Sequence, residues 1–541
     1  MELLSSLDWA VVAVYFIAIG GIAIWSMKRK KETTQEYFLA GRNVGWFVVG
    51  ASILASNVGS EHVVGLSGTA AESGLVMGHY ELHSWIVLLL GWVFIPFYVR
   101  SGVFTMPEFL ERRYNSSARW FLSVISLLSY VLTKVSVTVY AGAVVIASFM
   151  GFDFWTSAMV LVVLTGLYTV LGGMRAVVYT ESLQAVLLIA GSLILTIIGL
   201  HELGGWDAMI SATPKAKLNM FPPLSDPDFP WAGILFASPI VGLWYWCTDQ
   251  YIVQRCLTAR DEQQARRGTI FAAYLKLFPF FIFLIPGLIA TALTAQGKIE
   301  LASADSAFPT LVKTLLPNGL RGLIAGGLLA ALMSSLASVF NSCSTLFTMD
   351  IYKKMRPETP EKNLVTVGRI ATAVVVGLGI LWIPLMSGIS GVLYKYLQSV
   401  QSYLAPPIAA VFLLGIFSKR INAHGAMATL VAGALIGGLR IFLELNKESL
   451  SGFLYQFATL NFLYFCIALF VFCILLLVGV SLLTEKPAEE RIKGLTFATT
   501  VLEDREKSRA TWNAKDVVLS LIVVLIIISV FVYFSPLGVA G

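Results

Sequence analysis

The sequence has little charge: Asp, Glu, Lys and Arg together make up 13% of its 541 residues, whereas hydrophobic residues make up 57%. A soluble protein typically carries about 25% charged residues, because charge has to cover its outer surface. This shortage excludes an ordinary soluble enzyme. With a mean hydropathy of +0.78, it favours a chain that crosses a membrane many times. The apolar runs are continuous rather than alternating, which also excludes a β-barrel.

Cysteine is scarce as well, and the five cysteines (Cys247, Cys256, Cys343, Cys466 and Cys473) show no CxxC spacing. This pattern argues against a metal site or a disulfide framework. No small-residue cleavage site follows the first apolar run, so we expect no cleaved signal peptide. The sequence also lacks an HExxH motif and a recognisable nucleophile–base pair, which argues against an intramembrane enzyme.

Fourteen apolar segments are long enough to cross about 30 Å of hydrocarbon as helices. In chain order, segments 1 to 14 span residues 9–27, 44–71, 79–99, 119–149, 155–172, 182–201, 232–254, 269–295, 319–347, 365–387, 391–417, 423–443, 452–483 and 517–535. The sequence therefore predicts an all-α membrane protein with fourteen transmembrane helices.

Basic residues are unevenly distributed between the loops. Of the 38 Lys and Arg residues, 28 lie in or next to loops that follow odd-numbered segments, and 7 lie on the other side. Cytoplasmic loops carry the excess of positive charge. We therefore expect both termini to be extracytoplasmic, in a multi-pass protein of the plasma (cell inner) membrane. The longest loop, 484–516, is then cytoplasmic.

Two segments contain residues that break a helix. Segment 2 is interrupted by small and polar residues at 55–60, and segment 7 contains Pro239 and Gly242. Helix packing through small residues is the structural alternative, but it does not explain Glu61 and His62 at membrane depth. Broken helices at corresponding places in two halves predict inverted repeats. The predicted units are an N-terminal accessory helix with its basic loop (1–43), repeat one (44–201), an extracellular loop (202–231), repeat two (232–417) and C-terminal accessory helices (418–541).

The break in segment 2 suggests a cation site. Unwound backbone there exposes carbonyl oxygens, of which those of Ala55 and Val58 are suitable ligands for Na⁺. Segment 9 offers four serine hydroxyls on or beside one helical face: Ser334, Ser335, Ser338 and Ser342. Hydroxyls that bond back to their own helix are the structural alternative.

Eight ionisable or amide side chains lie inside apolar runs: Glu61, His62, Glu81, Lys134, Glu181, Asp249, Lys276 and Gln398. Internal ion pairing is the structural alternative for them, and no pair is close in sequence. The mixture also suits a neutral, polyhydroxylated ligand. A sugar hydroxyl can donate to the Glu81 carboxylate and accept from the Lys276 ammonium. Aromatic rings such as Tyr245 or Trp246 can stack on the apolar face of a pyranose.

Several motifs make the chain resemble the solute:sodium symporter family, and within it the sodium/glucose cotransporter branch. They are the stretches 55–65, 105–110, 168–173, 243–250 (with Trp-Tyr-Trp-Cys-Thr-Asp-Gln at its end), 333–335, 347–352 and 406–414. The resemblance implies a leucine-transporter-type five-plus-five inverted repeat. It also implies symport of a glucose- or galactose-type monosaccharide by alternating access. Na⁺ is then the co-transported ion, and no organic cofactor, nucleic acid or obligate protein partner is expected.

The resemblance also implies roles for individual residues. It implies a sodium site from the carbonyls of Ala55, Val58 and Ala331 and the hydroxyls of Ser334 and Ser335. It implies solute contacts from Asn57, His62, Glu81, Tyr245, Trp246, Lys276 and Gln398, with Tyr245 as an inner-gate aromatic.

Three positions depart from the family pattern. Glu181 stands where Asp is expected, and with Ser338 it marks a possible second sodium site. Ala337 stands where transporters that move two sodium ions carry Thr, and a methyl group cannot bind a cation, so we expect one Na⁺ per sugar. Gly242 replaces a polar residue, which leaves the preferred sugar open. Transport of myo-inositol or another small solute is the alternative, and a membrane nutrient sensor is the alternative in another class.

Overall fold

The chain is helical in a computed structural model that describes residues 4–28, 33–59, 61–386 and 393–541. Within these ranges there is no β-strand, and one isolated bridge joins Val44 to Ala259. The all-helical class predicted from the apolar runs is confirmed.

Eleven helices within the described ranges are long and apolar enough to span a membrane. They are Ser6–Ser26, Leu75–Ser101, Gly172–Leu203, Trp231–Thr248, Glu262–Ala295, Leu320–Met355, Glu361–Leu381, Leu397–Phe417, Ala423–Leu445, Phe462–Leu483 and Ala514–Tyr533. The pair Trp46–Asn57 and His62–Ser73, bent by 64°, adds a twelfth if it is one span. The total of fourteen stays a prediction.

The remaining two segments are helical but do not meet that test. Segment 5 contains the shorter apolar helix Phe154–Leu167. Segment 4 contains the consecutive helices Ser116–Ser129, Tyr130–Val135 and Ser136–Met150.

Short helices connect the apolar helices. They are Thr34–Leu39, Met106–Arg113, Trp206–Ala212, Lys215–Leu218, Gln250–Leu257, Ala307–Leu315, Gly452–Thr459, Glu489–Ile492 and Leu502–Ala510. In the part of the chain that the structure describes, six stretches are π-helical: Glu61–Leu66, Leu90–Phe94, Tyr130–Val135, Leu243–Thr248, Phe280–Leu284 and Leu346–Tyr352. Such stretches are frequent at functional sites.

Both predicted helix breaks are present. The helix Trp46–Asn57 ends at Val58, whose backbone is extended (φ −84°, ψ 109°). In segment 7, the helix Trp231–Gly242 contains Pro239 and passes into a π-helical stretch. Extended backbone follows at Asp249. Each break therefore leaves carbonyl groups outside a regular helix.

A glycine separates segments 5 and 6. The helix Phe154–Leu203 is kinked at Gly173, where φ is +59°. A Cβ atom at this position would lie 2.8 Å from the ring of Tyr37 and 2.9 Å from its carbonyl oxygen. Tyr37 also donates a hydrogen bond of 3.1 Å to the carbonyl of Val170. The kink therefore needs glycine both for its backbone angles and for the close approach of Tyr37.

Burial separates central from peripheral spans. The most apolar stretch of Leu320–Met355 is 94% buried, whereas those of Ser6–Ser26, Phe462–Leu483 and Ala514–Tyr533 are each 28% buried. The serine-rich segment 9 is therefore at the centre of the molecule. The three peripheral helices present most of their apolar surface outward, as lipid-facing helices do.

Candidate functional site

One cavity brings together all seven residues for which the sequence predicts solute contacts. Its lining includes Asn57, His62, Glu81, Tyr245, Trp246, Lys276 and Gln398. Seven further residues complete the lining: Tyr80, His83, Lys134, Val241, Gly242, Leu397 and Gln401. The two broken helices contribute Asn57, His62 and the aromatic residues. The role of these residues in binding stays a prediction.

An ion pair lies at the polar side of this cavity. The Lys276 ammonium donates to Oε2 of Glu81 at 2.5 Å, and the two side chains are 3% and 1% exposed. Nε2 of His62 lies 3.7 Å from the other Glu81 oxygen and 3.4 Å from Nδ2 of Asn57. Because the charges of Glu81 and Lys276 offset each other, this side offers donors and acceptors that suit hydroxyl groups.

Aromatic rings form a neighbouring part of the wall, and the Lys276 ammonium lies 5.5 Å from the centroid of the Trp246 ring. The rings of Tyr245 and Trp246 meet edge to face with centroids 5.0 Å apart. The Lys134 ammonium lies 4.1 Å from the Tyr245 ring centroid and 4.0 Å from that of Tyr251. These are cation–π distances. The sequence marked Lys134 as a residue inside an apolar run but did not indicate its aromatic neighbours.

The amide of Gln398 has an unused acceptor. Its Oε1 atom is buried and has no hydrogen-bond partner among the described residues. Buried polar atoms in native proteins normally have a partner. A ligand in the cavity that Gln398 lines is one source of such a partner.

The predicted sodium ligands also come together. The Ser334 hydroxyl donates to the carbonyl of Ala55 at 3.0 Å, and the Ser335 hydroxyl donates to that of Val58 at 3.3 Å. Ala331 lies one turn earlier on the same helix and is also buried. Carbonyl and hydroxyl oxygens of this kind can replace the hydration shell of a small hard cation. Whether they bind Na⁺ stays a prediction.

Glu181 lies in a buried polar cluster close to these residues. Its Oε1 atom accepts hydrogen bonds of 3.1 Å from Ser56 and from Arg255, and it also accepts from Ser338. Ser52 donates to the other carboxylate oxygen. The predicted pair Glu181 and Ser338 is therefore in contact, but an arginine that the sequence did not suggest is a member of the same cluster.

Asp249 has a structural role in its own helix. Its carboxylate accepts from the backbone N–H of Tyr251 at 3.1 Å, which caps the helix Gln250–Leu257, and from the Tyr130 hydroxyl. Capping of this kind satisfies one of the free N–H groups at a helix start.

No group of three or more His, Cys, Asp or Glu residues that could hold a metal ion occurs in the described ranges of the chain. The five cysteines are buried and form no disulfide.

Comparison with known proteins gives the following matches. The model of the sodium:solute symporter family matches residues 37–433. Sodium/glucose cotransporter 1 of Ovis aries is 40% identical, over 95% of this chain and 83% of its own length. The sodium/mannose cotransporter of Bos taurus is 39% identical (92% and 90%), and the sodium/myo-inositol cotransporter of Mus musculus is 39% identical (91% and 76%).

Among solved structures, a Na⁺-coupled sialic acid symporter in a substrate-bound outward-open state superposes with a TM-score of 0.77 at 23% identity. The match covers 89% of this chain and 98% of that one. Mhp1, a transporter of the nucleobase-cation-symport-1 family, gives a TM-score of 0.55 at 13% identity, over 86% of this chain and 99% of that one. These similarities show a leucine-transporter-type fold.

Proposed function

Because the chain belongs to the sodium:solute symporter family, we propose that it couples the entry of Na⁺ to the uptake of a glucose- or galactose-type monosaccharide. Family membership makes it a transporter of the membrane and not an enzyme. The identity of the solute and the roles of single residues are what we propose beyond that membership.

The observation that carries the proposal is the short distance along the chain between the two sites. Ala55 and Val58 contact the serines of segment 9, while Asn57, between them, and His62 line the cavity. An ion that holds the backbone of this helix break in place therefore also positions Asn57 and His62 for contact with the solute. Coupling requires this, because an ion can favour the solute-binding state only through differential affinity for the two states.

The proposed cycle follows from this arrangement. Na⁺ binds between the helices Trp46–Asn57 and Leu320–Thr345 and stabilises an outward-open state. Sugar then bonds to Glu81, Lys276 and their neighbours, and outer residues close over it. The repeats, 44–201 and 232–417, move relative to each other, and the Tyr245 ring moves aside so that both solutes leave to the cytoplasm. Fourteen spans, extracytoplasmic termini and a plasma-membrane location belong to this proposal.

We propose one Na⁺ per sugar. Ala337 offers only a methyl group beside the possible second site, and four donors already surround the Glu181 carboxylate. Each transported charge adds about 2.3 kcal/mol of driving force per 100 mV of membrane potential.

A cyclitol or another hexose is the second candidate solute. A carboxylate, an amide and an ammonium group can bond to any ring of hydroxyls. The relatives named for myo-inositol and mannose are 39% identical to this chain, against 40% for the one named for glucose.

Uptake into proteoliposomes tests the proposal. The inward Na⁺ gradient is tenfold and the membrane potential is zero. If one Na⁺ is coupled to each sugar, the internal concentration of labelled glucose can then reach about ten times the external one, and with two Na⁺ about a hundred times. Uptake that is unchanged when K⁺ replaces Na⁺ would contradict symport.

A matched pair of buried amides tests the site. Gln398→Ala should abolish uptake but leave Na⁺ binding. Gln184→Ala should change neither, because Gln184 bonds to Tyr15 at 3.2 Å, outside the cavity lining.

A further inference from the structure

His83 is a buried residue of the cavity wall to which neither the sequence motifs nor the ion pair assigns a role. It is 3% exposed and lines the same cavity as Glu81 and Gln398. Its backbone carbonyl accepts from Ile86 at 2.8 Å and from Val87 at 3.1 Å at the start of the helix Ser84–Leu89. Its side chain makes no capping bond to that helix. The imidazole is therefore not explained by helix capping.

Gly242 provides the space that the imidazole occupies. A Cβ atom at 242 would lie 2.8 Å from both Cε1 and Nδ1 of His83, and 2.4 Å from the end of Ile86. Real Cβ atoms do not approach ring atoms so closely. Here the cavity wall is therefore formed by the imidazole of His83, from the first predicted repeat, and not by a side chain at position 242, from the second. Residues 83 and 242 form one steric unit, in which glycine at 242 permits histidine at 83.

The imidazole also has unused bonding capacity. Nε2 of His83 is buried without a hydrogen-bond partner among the described residues, as is Oε1 of Gln398 in the same cavity lining. Its ring packs against that of Tyr80 with centroids 5.5 Å apart, which holds it in place. A neutral imidazole presents one donor and one acceptor nitrogen. A hydroxyl group both donates and accepts, so it can bond to either tautomer.

On the basis of the sugar transport proposed above, we propose that His83 is a specificity-determining residue that binds one hydroxyl group of the transported solute. Gly242 acts as its steric partner. The ligand group is a neutral hydroxyl, as on a pyranose or a cyclitol. The residue selects among such solutes by the position of that hydroxyl, since an analogue without it leaves the ring nitrogen buried and unpaired.

A series of monodeoxy sugars tests this role in the full-length protein. In the unmodified chain, removal of the hydroxyl that meets His83 should raise the KM for uptake about tenfold. In His83→Phe, which keeps a ring but lacks the nitrogens, the same removal should change the KM by less than about twofold. The increase in KM that follows removal of any other hydroxyl (the penalty for that hydroxyl) should be the same in His83→Phe as in the unmodified chain. If every penalty is the same in both proteins, the proposal is wrong.

His79 is the matched control. It is an equally buried imidazole one turn earlier, whose Nε2 bonds to the carbonyl of Met220 at 2.9 Å, and it does not line the cavity. His79→Phe should therefore leave the whole pattern of deoxy-sugar penalties unchanged. A change in that pattern equal to the change in His83→Phe would contradict a specific contact.

The steric partner supplies a second test that needs no folded His83→Phe protein. Gly242→Ala should reduce uptake strongly in the unmodified background but by less than about twofold in a His83→Ala background. The overlapping ring is then absent, and the other close atom, Cδ1 of Ile86, is the end of a flexible side chain that can turn into the space left by the ring. Equal losses in both backgrounds would contradict the pairing of residues 83 and 242. Failure of the transport proposal looks different, since the unmodified chain would then show no sodium-dependent uptake of any sugar.

Discussion

The ion pair between Glu81 and Lys276 supports a sharp prediction about stability. The two charged groups are 2.5 Å apart and almost fully buried. Removal of one partner from such a pair leaves an uncompensated buried charge, which costs about 3–5 kcal/mol. We therefore expect Glu81→Gln and Lys276→Met each to lower the free energy of unfolding by about that amount. The double variant should be more stable than either single variant, because it leaves no charge behind.

Unfolding of the purified protein in mixed micelles, followed by tryptophan fluorescence, measures these differences. Lys298→Met is the control, because its pair with Glu202 is about half exposed and such pairs contribute about 0–1 kcal/mol. All three variants at Glu81 and Lys276 should lose sugar uptake. The double variant should therefore fail to transport although it is more stable than either single variant. If the two single losses simply add in the double variant, the two charges do not depend on each other and the reasoning is refuted.

Three further predictions concern other regions of the chain. Ser335→Ala should raise the Na⁺ concentration for half-maximal uptake about tenfold, since bonds to charged groups contribute about 1.5–3 kcal/mol; Ser344→Ala, on the same helix but bonded to a different carbonyl, should not. Gly173→Ala should lower the unfolding temperature, because its φ is +59°, whereas Gly377→Ala, with open space around it, should not lower it. Burial and a nearby carboxylate raise the pKa of Asp305, in a connecting loop, to about 6. The folded state therefore binds the proton of the Asp305 carboxyl group more tightly than the unfolded state does. The stability that this proton adds is lost as pH rises from about 4 through 6. Asp305→Asn should remove this pH dependence of the unfolding temperature.

The sequence predicted the helices well because each apolar run is long and continuous. It also predicted both breaks, since Pro239 and the small residues at 55–60 weaken a helix locally. It placed Gly173 in a loop between segments 5 and 6, whereas the helix Phe154–Leu203 continues through this position with a kink. Only the approach of Tyr37, which is distant in sequence, explains that position.

Prediction of the site was strongest where polar residues interrupt apolar runs. Glu81 and Lys276 were evident on this ground, but their direct pairing was not, because they are 195 residues apart. Arg255 was assigned to a loop by the charge count, although it reaches Glu181 inside the fold. His83 was missed because one histidine beside Glu81 carries no motif. Its significance comes from Gly242, on another helix.

Reversal of the coupling tests the central claim most directly. Coupling between two ligands is reciprocal, so a gradient of unlabelled sugar alone should drive ²²Na⁺ into proteoliposomes against a small opposing Na⁺ gradient. The account predicts sugar-driven Na⁺ accumulation that is absent in Ser335→Ala at low Na⁺. Sugar entry without any Na⁺ movement would contradict it.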